Sequence, residues 1–246
     1  MPPSGPIGPS QRRHARGTPL APPPPVKTVS VIAQKGGAGK TTLSLSLACA
    51  AAAEGFSAVV VDLDPQASAA SWGDRRGSDA PAVVPAQAPR LARILDAAAG
   101  QGVALAVVDT APRAGEGAVA AARAADLVLV PSRPAVYDVE TVAGTRDLVA
   151  AVAPATPVLC VLNAVPPRGP REGQARALLA DFGVPVAAPS LGLRAAVDYA
   201  AAAGQSATEH DPRGRAAAEI AALFAAVGRL AGLTPARPES RDGAFD

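Results

Sequence analysis

Gln34-Lys35-Gly36-Gly37-Ala38-Gly39-Lys40-Thr41-Thr42 is the stretch that decides which fold the sequence predicts. A run of strand-forming residues, 28–32 (Thr-Val-Ser-Val-Ile), comes directly before it, and a helical run rich in leucine and alanine follows. Glycines placed between a strand and a helix let backbone N–H groups turn inward around an anion, and the helix N-terminus adds its positive end. This strand–loop–helix context predicts a phosphate-binding loop.

Two side chains of the loop have separate roles in this prediction. Lys40 is spaced to reach the β- and γ-phosphates of a nucleotide, and the Thr41 hydroxyl to help hold Mg²⁺. Against the usual pattern G-x-x-x-x-G-K-[ST], Gln34 replaces the first glycine and a second lysine enters the loop. The predicted phosphate-binding residues are Lys35, Gly36, Gly37, Ala38, Gly39, Lys40, Thr41 and Thr42.

Lysine is rare in this chain, which has three lysines and twenty arginines, yet two of the lysines fall in the loop. A compact ammonium group suits a crowded phosphate site better than a planar guanidinium does. The run Lys-Gly-Gly-Ala-Gly-Lys-Thr-Thr resembles the deviant phosphate loop of the ParA/MinD family of ATPases, with Lys35 in the place of the signature lysine. In that family the lysine reaches across a nucleotide sandwich dimer to the partner's phosphates. The resemblance implies that Lys35 is catalytic and couples hydrolysis to ATP-dependent homodimerisation; the alternative is a solvent-exposed loop lysine.

Segments of strand character alternate with helical segments along the chain, and the resemblance extends from Val26 to Leu230. The last helix is predicted to begin at Asp211-Pro212, an N-cap followed by proline. Apolar strands that alternate with helices indicate an α/β fold, with a mainly parallel sheet flanked by helices on both faces, here of the deviant Walker P-loop type. Strands are predicted at 28–32, 57–63, 83–84, 103–108, 127–130, 158–162 and 184–187, and helices at 41–54, 67–75, 90–99, 116–124, 136–152, 172–182 and 194–202.

Carboxylates follow two further apolar strands, in Val-Asp-Leu-Asp-Pro-Gln at 61–66 and in Val-Val-Asp-Thr-Ala-Pro at 107–112. Because the carboxyl ends of parallel strands meet at one edge of a sheet, we expect these acids beside the phosphate loop. The first segment resembles the second ATPase motif of the ParA family, which implies that Asp64 orients and polarises water and that Asp62 lies near the magnesium shell. Asp109 matches the family's Mg²⁺-associated acid, although Ala111 stands where the family usually has proline. The implied catalytic residues are Lys35, Lys40 and Asp64, and the implied metal residues, partly acting through water, are Thr41, Asp62 and Asp109.

Two more features bear on the ligands. Asn163 ends a strand where family members often use asparagine against adenine, and no Asn-Lys-x-Asp guanine motif follows, so ATP is favoured over GTP; a turn-forming asparagine is the alternative. Segments 189–194 and 211–219 match family segments that carry DNA-contacting arginines, here Arg194, Arg213 and Arg215. Cations in the first turn of a helix oppose its dipole, so another interaction is expected to favour Arg213 and Arg215 there. The resemblance implies a DNA phosphate; solvated surface arginines are the alternative.

Composition limits the class of protein. With 246 residues, 49% of them hydrophobic and 3% aromatic, one domain is expected whose core consists of Ala, Val and Leu. No membrane span or secretory signal is evident. Cys49 and Cys160 are expected to be free thiols in a reducing cytosol, and His14 and His210 are too isolated for a metal cluster.

Charge and proline are unevenly distributed along the chain. Residues 1–27 carry four positive charges and no acid, whereas the remainder carries 19 positive and 21 negative side chains, so any DNA contact must be local. We expect a disordered Pro/Arg-rich tail at 1–25, a ParA-like ATPase domain at 26–232 and a polar tail at 233–246.

The resemblance implies a ParA-type ATPase that uses ATP and Mg²⁺, dimerises on ATP and binds DNA non-specifically. A ParB-like or other adaptor on a cargo would stimulate hydrolysis, so that a plasmid, a chromosome, a carboxysome-like body or a chemoreceptor cluster is partitioned or positioned. We expect a cytoplasmic, nucleoid-associated protein without a membrane partner.

Three alternatives belong to the same superfamily. A MinD-like membrane-cycling ATPase would need a C-terminal amphipathic basic helix, but residues 231–246 are broken by prolines. An iron–sulfur carrier would need cysteines after Asp109, and residues 110–135 contain none. An ATP-dependent ligase of the dethiobiotin-synthetase kind lacks the signature lysine, so Lys35 argues against it.

Overall fold

A computed structural model describes residues 25–233 of the chain. Apart from Pro25 and Leu233, the predicted tails at 1–25 and 233–246 lie outside these residues. The described strands are β1 Lys27–Val31, β2 Ala58–Asp62, β3 Ala82–Pro85, β4 Leu105–Asp109, β5 Leu127–Ser132 and β6 Val158–Leu162. The described helices are α1 Lys40–Ala53, α2 Ser68–Arg75, α3 Leu91–Gly100, α4 Glu116–Ala124, α5 Val136–Val152, α6 Arg171–Asp181, α7 Ala195–Ala202, α8 Ala207–His210 and α9 Arg215–Ala231.

The six strands form one parallel sheet in the order β3-β2-β4-β1-β5-β6. Helices α1, α2, α8 and α9 pack on one face, and α3 to α6 pack on the other. This arrangement confirms the predicted fold class. Because β1, β4 and β2 are neighbours, Val31, Asp109 and Asp62 come into register at the carboxyl edge of the sheet. The loops that follow these three strands therefore share one edge.

The core consists almost entirely of aliphatic side chains and alanine, as the composition predicts. All five residues of β4 and all six of β5 are buried, which explains their continuous apolar sequence, since both sheet faces are covered. A rare aromatic contact occurs between Phe56 and Phe224, whose rings meet edge-to-face at 6.0 Å. The buried hydroxyl of Ser30 donates to the carbonyl of Ala121 at 2.8 Å, so this polar group is satisfied inside the core.

The prediction of a strand at 184–187 was wrong. Only a single bridge forms there, between Cys160 and Val186, with two backbone hydrogen bonds of 2.8 Å on either side of it. Pro185 has no N–H group to extend the ladder, and Pro189 follows shortly afterwards, so the pairing ends after one bridge.

The predicted start of the last helix was also wrong. Helix α9 begins at Arg215, after a turn closed by the Gly214 N–H, which donates to the Asp211 carbonyl at 2.9 Å. Asp-Pro-Arg-Gly has the residue preferences of a type I turn, with proline second and glycine fourth, and this local preference prevails over a proline-led helix start. Arg213 therefore lies in the turn, and only Arg215 belongs to the first helical turn.

Helix α2 is fastened to the connection between α7 and α8. The indole N–H of Trp72 donates to the carbonyl of Gln205 at 3.2 Å, and Arg76 donates to the carbonyl of Gly204 at 3.2 Å and to Glu209. Gly204 has a φ of +67°, and a Cβ there would lie 2.7 Å from the carbonyl carbon of Arg75. Both the backbone conformation and the close approach therefore require glycine at this position.

We expect Gly204→Ala to lower the free energy of unfolding by about 1–3 kcal/mol, because it adds both backbone strain and a clash. Gly100→Ala is the matched control: Gly100 ends α3, and a Cβ there would meet nothing within 4 Å. That change should be neutral or stabilising by up to about 1 kcal/mol. Urea unfolding of the two variants measures the difference, and equal effects would contradict the packing described for Gly204.

Candidate nucleotide and magnesium site

The loop between β1 and α1 has the backbone of a phosphate-binding turn. Gly39 has a φ of +95° and directly precedes Lys40, the first residue of α1. A Cβ on Gly39 would lie 2.0 Å from the side-chain nitrogen of Asn163, so glycine is required here for space as well as for conformation. The amide nitrogen of Asn163 also donates to the Ala38 carbonyl at 2.9 Å. The structure therefore brings Asn163 against the phosphate loop.

Lys40 lies at the centre of the site. Its side chain is buried, and its ammonium donates to the carbonyl of Lys35 at 3.3 Å. Burial lowers the pKa of Lys40, while the nearby carboxylates of Asp109 and Asp64 oppose that shift. Lys40 thus lies between the loop backbone and two carboxylates, Asp109, which is assigned to metal binding, and Asp64, which is assigned to the attacking water.

Asp109 is a completely buried carboxylate at the end of β4. It accepts hydrogen bonds from the Thr41 hydroxyl at 2.7 Å and from the Ser44 hydroxyl at 3.2 Å. Burial raises the pKa of Asp109 to about 7, the nearby Asp62 adds to the rise, and the two hydroxyl hydrogen bonds oppose it. A carboxylate so poorly stabilised by its surroundings favours a cation beside it.

The donor set fits Mg²⁺ bound together with a nucleotide. Within residues 25–233 no cluster of three or more His, Cys, Asp or Glu side chains could hold a metal ion by itself. Mg²⁺ commonly uses one or two protein oxygens and completes its shell with phosphate oxygens and water. Thr41 and Asp109 would hold it in this way.

Asp62, assigned to the neighbourhood of the magnesium shell, uses both carboxylate oxygens within its own segment. One of its oxygens accepts from the Asp64 N–H at 3.0 Å, and the other accepts from the Ala70 N–H at 3.0 Å. Both oxygens therefore fix the segment that leads from β2 into α2. Asp62 is in register with Asp109, so it acts on the metal region as a neighbouring charge and as a brace for the Asp64 loop.

Asp64 is half-buried on this braced loop. One carboxylate oxygen accepts from the Gln66 N–H at 2.9 Å, which holds the side chain in a local turn. The preceding residue, Leu63, donates its N–H to the Asp109 carbonyl at 2.9 Å. The segment that carries Asp64 is thus hydrogen-bonded to β4, the strand that ends in Asp109.

Lys35 forms an ion pair with Asp138, in the first turn of α5. The Lys35 side chain is 44% exposed, whereas that of Asp138 is 10% exposed. Lys35 is therefore an exposed loop lysine that pairs with a carboxylate of the same chain. To reach the nucleotide of a second subunit, as the resemblance implies, Lys35 would have to leave Asp138.

A cavity of about 270 Å³ opens beside the phosphate loop. Its walls include Gly39 and Thr42 from the loop side, and Arg133, Asn163, Arg194 and Glu219 from later segments. The cavity is continuous with the loop, so a nucleotide with its phosphates on the loop would place its nucleoside there.

The arginines predicted to contact DNA divide into two groups. Arg213 and Arg215 are exposed and have no ion-pair partner among residues 25–233. Arg194 instead forms an ion pair with Glu219 at 2.5 Å, and it lines the cavity beside Asn163. The structure therefore separates Arg194 from the exposed pair.

Sequence reasoning missed four site residues: Ser44, Arg133, Asp138 and Glu219. The signals for Arg133 and Asp138 were present, because both closely follow the carboxyl end of a strand, where ligand-binding groups collect. Ser44 lies one turn after Lys40 on α1, on the side facing Asp109. Glu219 had no such signal, since its role depends on how α9 packs.

Comparison with known proteins agrees with this geometry. Residues 29–207 match the CbiA family model, described as the CobQ/CobB/MinD/ParA nucleotide binding domain. The chain is 38% identical over 164 residues to the maintenance of carboxysome distribution protein A of Gloeobacter kilaueensis, covering 65% of this chain and 73% of that protein. It is 29% identical over 230 residues to protein IncC of Escherichia coli, covering 73% of this chain and 62% of IncC.

Solved structures share the fold at low sequence identity. The Cyanothece McdA(D38A)–ATP complex has a TM-score of 0.67 at 15% identity, covering 87% of this chain and 99% of that one. A chain of the MinC:MinD cell division protein complex of Aquifex aeolicus has a TM-score of 0.69 at 16% identity, covering 88% of this chain and 99% of that one. Cobyrinic acid a,c-diamide synthase of Mycobacterium smegmatis with ADP and magnesium has a TM-score of 0.64 at 18% identity, covering 83% and 94%.

The phosphate loop, the three aligned strand ends and the family match lead to one conclusion. The chain belongs to the CobQ/CobB/MinD/ParA family of nucleotide-binding proteins and is a ParA/MinD-type P-loop protein. Nucleotide and magnesium binding is a property of this family, since solved relatives contain ADP or an ATP analogue with magnesium. None of the helices within residues 25–233 combines the length and hydropathy needed to cross a bilayer.

Asp109 leads to a prediction about stability and pH. Because its pKa rises from 3.8 to about 7 on folding, the folded chain binds this proton more tightly than the unfolded chain does. The proton on Asp109 therefore contributes its full share of the unfolding free energy below about pH 4, and this stabilisation is lost as the pH rises towards 7. The Asp109→Asn variant has no carboxyl group to ionise, so it does not lose this stabilisation. We expect its unfolding free energy, measured relative to that of the wild type, to increase by on the order of 2 kcal/mol from pH 5 to pH 7.

Urea unfolding without nucleotide, at pH 5, 6, 7 and 8, measures this difference. Asp96→Asn, on the exposed side of α3, controls for removal of a surface carboxylate. Magnesium with ADP should stabilise the wild type and not Asp109→Asn. A difference between variant and wild type that does not change with pH would contradict the assigned pKa of Asp109.

Proposed function

We propose that this protein is a ParA-type ATPase that dimerises on ATP, binds DNA non-specifically and positions a cargo. The observation that carries the proposal is the placement of Lys35 and Lys40 in one phosphate loop, beside Asp64 and Asp109 at the same sheet edge. This combination supports hydrolysis of ATP to ADP and phosphate. The lysine that would complete the site is held inside its own protomer by Asp138.

The chain's own groups divide the work of hydrolysis between them. Lys40 and the loop N–H groups bind the β- and γ-phosphates and stabilise negative charge as it develops. Asp64 accepts a hydrogen bond from the attacking water and orients it, and its turn with Gln66 keeps the carboxylate in place. Thr41 and Asp109 would hold magnesium, which would neutralise negative charge on the phosphate oxygens.

Dimerisation supplies the last positive charge. Lys35 exchanges the Asp138 carboxylate for a phosphate of the partner's nucleotide, so hydrolysis is slow until two protomers meet. Val136 and Tyr137, at the start of α5 beside this ion pair, are 60% and 77% exposed. Large apolar side chains next to an incomplete site support an interface there.

The cargo is proposed to be a protein body, recognised through an adaptor. One curated relative is named for maintenance of carboxysome distribution, which favours positioning of a protein body. A ParB-like or other adaptor on the cargo would stimulate hydrolysis and release the dimer from the nucleoid. Arg213 and Arg215, exposed and without an ion-pair partner among residues 25–233, support the DNA contact.

A ligase is the second candidate, because cobyrinic acid a,c-diamide synthase shares the fold. An ATP-dependent ligase has no need of a lysine that reaches another subunit's nucleotide, so Lys35 and its pairing with Asp138 favour the dimerising ATPase. ATP turnover that depends on a small carboxylic acid, and not on protein concentration, would favour the ligase.

We expect Lys35→Ala to leave ADP affinity within about threefold of the wild type and to abolish ATP-dependent dimerisation, because only the charge given to the partner is lost. Asp138→Asn should shift dimerisation to about threefold lower ATP concentration, since it frees Lys35 from a partly exposed ion pair. Sedimentation velocity with and without ATP and Mg²⁺ measures both effects.

Lys27→Ala is the matched lysine control. Lys27 pairs with Asp126 at the opposite edge of the sheet, so its loss should leave dimerisation unchanged. ATP-dependent dimers that persist in Lys35→Ala would remove the proposed role of this lysine, whatever the Asp138 variant does.

Non-specific DNA binding should depend on ATP and fall steeply with salt. Each arginine that contacts a phosphate contributes about 1 to the slope of log affinity against log salt concentration. The double variant Arg213→Ala/Arg215→Ala should therefore reduce the slope by about 2. Arg229→Ala, an exposed arginine at the other end of α9, is the control. Fluorescence anisotropy at several salt concentrations measures the slopes, and an unchanged slope in the double variant would exclude this surface.

A further inference from the structure

The residues that face the phosphate loop across the 270 Å³ cavity form an ion-paired wall. Arg194, immediately before α7, donates to one oxygen of Glu219 at 2.5 Å. The other oxygen of Glu219 accepts from the Gly192 N–H at 2.9 Å. A single carboxylate on α9 thus holds both the Arg194 guanidinium and the backbone of the segment that carries it.

Gly192 fixes the position of the guanidinium further. A Cβ at residue 192 would lie 2.8–2.9 Å from three guanidinium atoms of Arg194, so the guanidinium lies directly against the Gly192 backbone. With Glu219 on one side and Gly192 on another, the planar group has little freedom to rotate. A guanidinium immobilised before its ligand arrives loses little entropy on binding it.

One donor of this fixed group has no hydrogen bond. The Arg194 Nε is buried and has no partner among residues 25–233. A buried donor without an acceptor is unfavourable, and such groups in native proteins usually have a partner that completes them. Nε lies against Gly192, but the Arg194 side chain as a whole is 25% exposed and lines the cavity together with Gly39, Thr42 and Asn163, so the exposed part of the guanidinium can donate to an acceptor on a bound nucleotide.

We propose that Arg194, positioned by Glu219, contacts the nucleoside end of the bound nucleotide through a ribose hydroxyl or a base acceptor. This inference rests on the proposed nucleotide binding. It assigns Arg194 to the nucleotide and not to DNA: its charge is already neutralised by Glu219, and each side chain of the pair is only 25% exposed. A DNA phosphate would have to break that pair, whereas a nucleoside in the cavity leaves it intact.

Two ligands separate the nucleoside from the phosphates, namely ADP and inorganic tripolyphosphate, each titrated calorimetrically with Mg²⁺. Arg194→Ala should weaken ADP binding by about tenfold or more and change tripolyphosphate affinity by less than about twofold. Arg194→Lys keeps the charge beside Glu219 but loses Nε and the planar group, so it should also weaken ADP selectively. Glu219→Gln should give a smaller ADP-selective loss, because the amide oxygen can still accept from Gly192. Arg229→Ala should match the wild type with both ligands.

The outcomes are distinguishable from failure of the proposed function. A wild-type protein that binds neither ligand defeats nucleotide binding itself. A wild type that binds ADP, with Arg194→Ala and Arg194→Lys binding it equally well, overturns this inference alone. Equal weakening of both ligands in folded Arg194→Lys, checked by thermal unfolding, also overturns it, because the effect would then concern the loop as a whole. A loss of about 1 in the DNA salt slope with unchanged ADP affinity would return Arg194 to DNA contact.

Discussion

The side-by-side arrangement of β1, β4 and β2 is the constraint on which the site depends. Parallel pairing ends these strands at one edge and in register, so the phosphate loop, Asp109 and Asp62 are neighbours although they are far apart in the chain. The N-terminus of α1 then brings the hydroxyls of Thr41 and Ser44 to the Asp109 carboxylate. The strand pairing fixes the backbone of Asp109, so its carboxylate stays buried and its pKa is raised to about 7.

Two internal ion pairs flank the phosphate loop and differ in what they do. The proposed function places the Lys35 ammonium on the nucleotide of a second subunit, so the Lys35–Asp138 pair must break when the dimer forms. The Arg194–Glu219 pair holds a cation in the wall of the cavity, and the proposed nucleoside contact would leave this pair intact. Exposure agrees with this difference, since Lys35 is 44% exposed and Arg194 only 25% exposed. In the proposed function, the ion pair on one side of the loop breaks to release Lys35, and the ion pair on the other side keeps Arg194 in place.

Most of the fold and the centre of the site were predictable because their signals are local. The glycine-rich loop between a strand and a helix, and the acids after two apolar strands, are patterns of neighbouring residues, and the structure brings Lys40, Asp64 and Asp109 together as expected. The errors arose where two local preferences compete. Asp-Pro-Arg-Gly suits both a helix start and a type I turn, and Val-Pro-Val-Ala has strand composition but a proline that ends the pairing.

The sequence by itself determined the fold class, the phosphate loop and the acids at the strand ends, because alternating apolar segments and loop glycines specify backbone conformation residue by residue. Only the tertiary structure decided which charges pair. Asp138 for Lys35 and Glu219 for Arg194 come from helices that are distant along the chain. Their pairing follows from helix packing on the sheet, since a charge that becomes partly buried takes whichever opposite charge the packing places within reach.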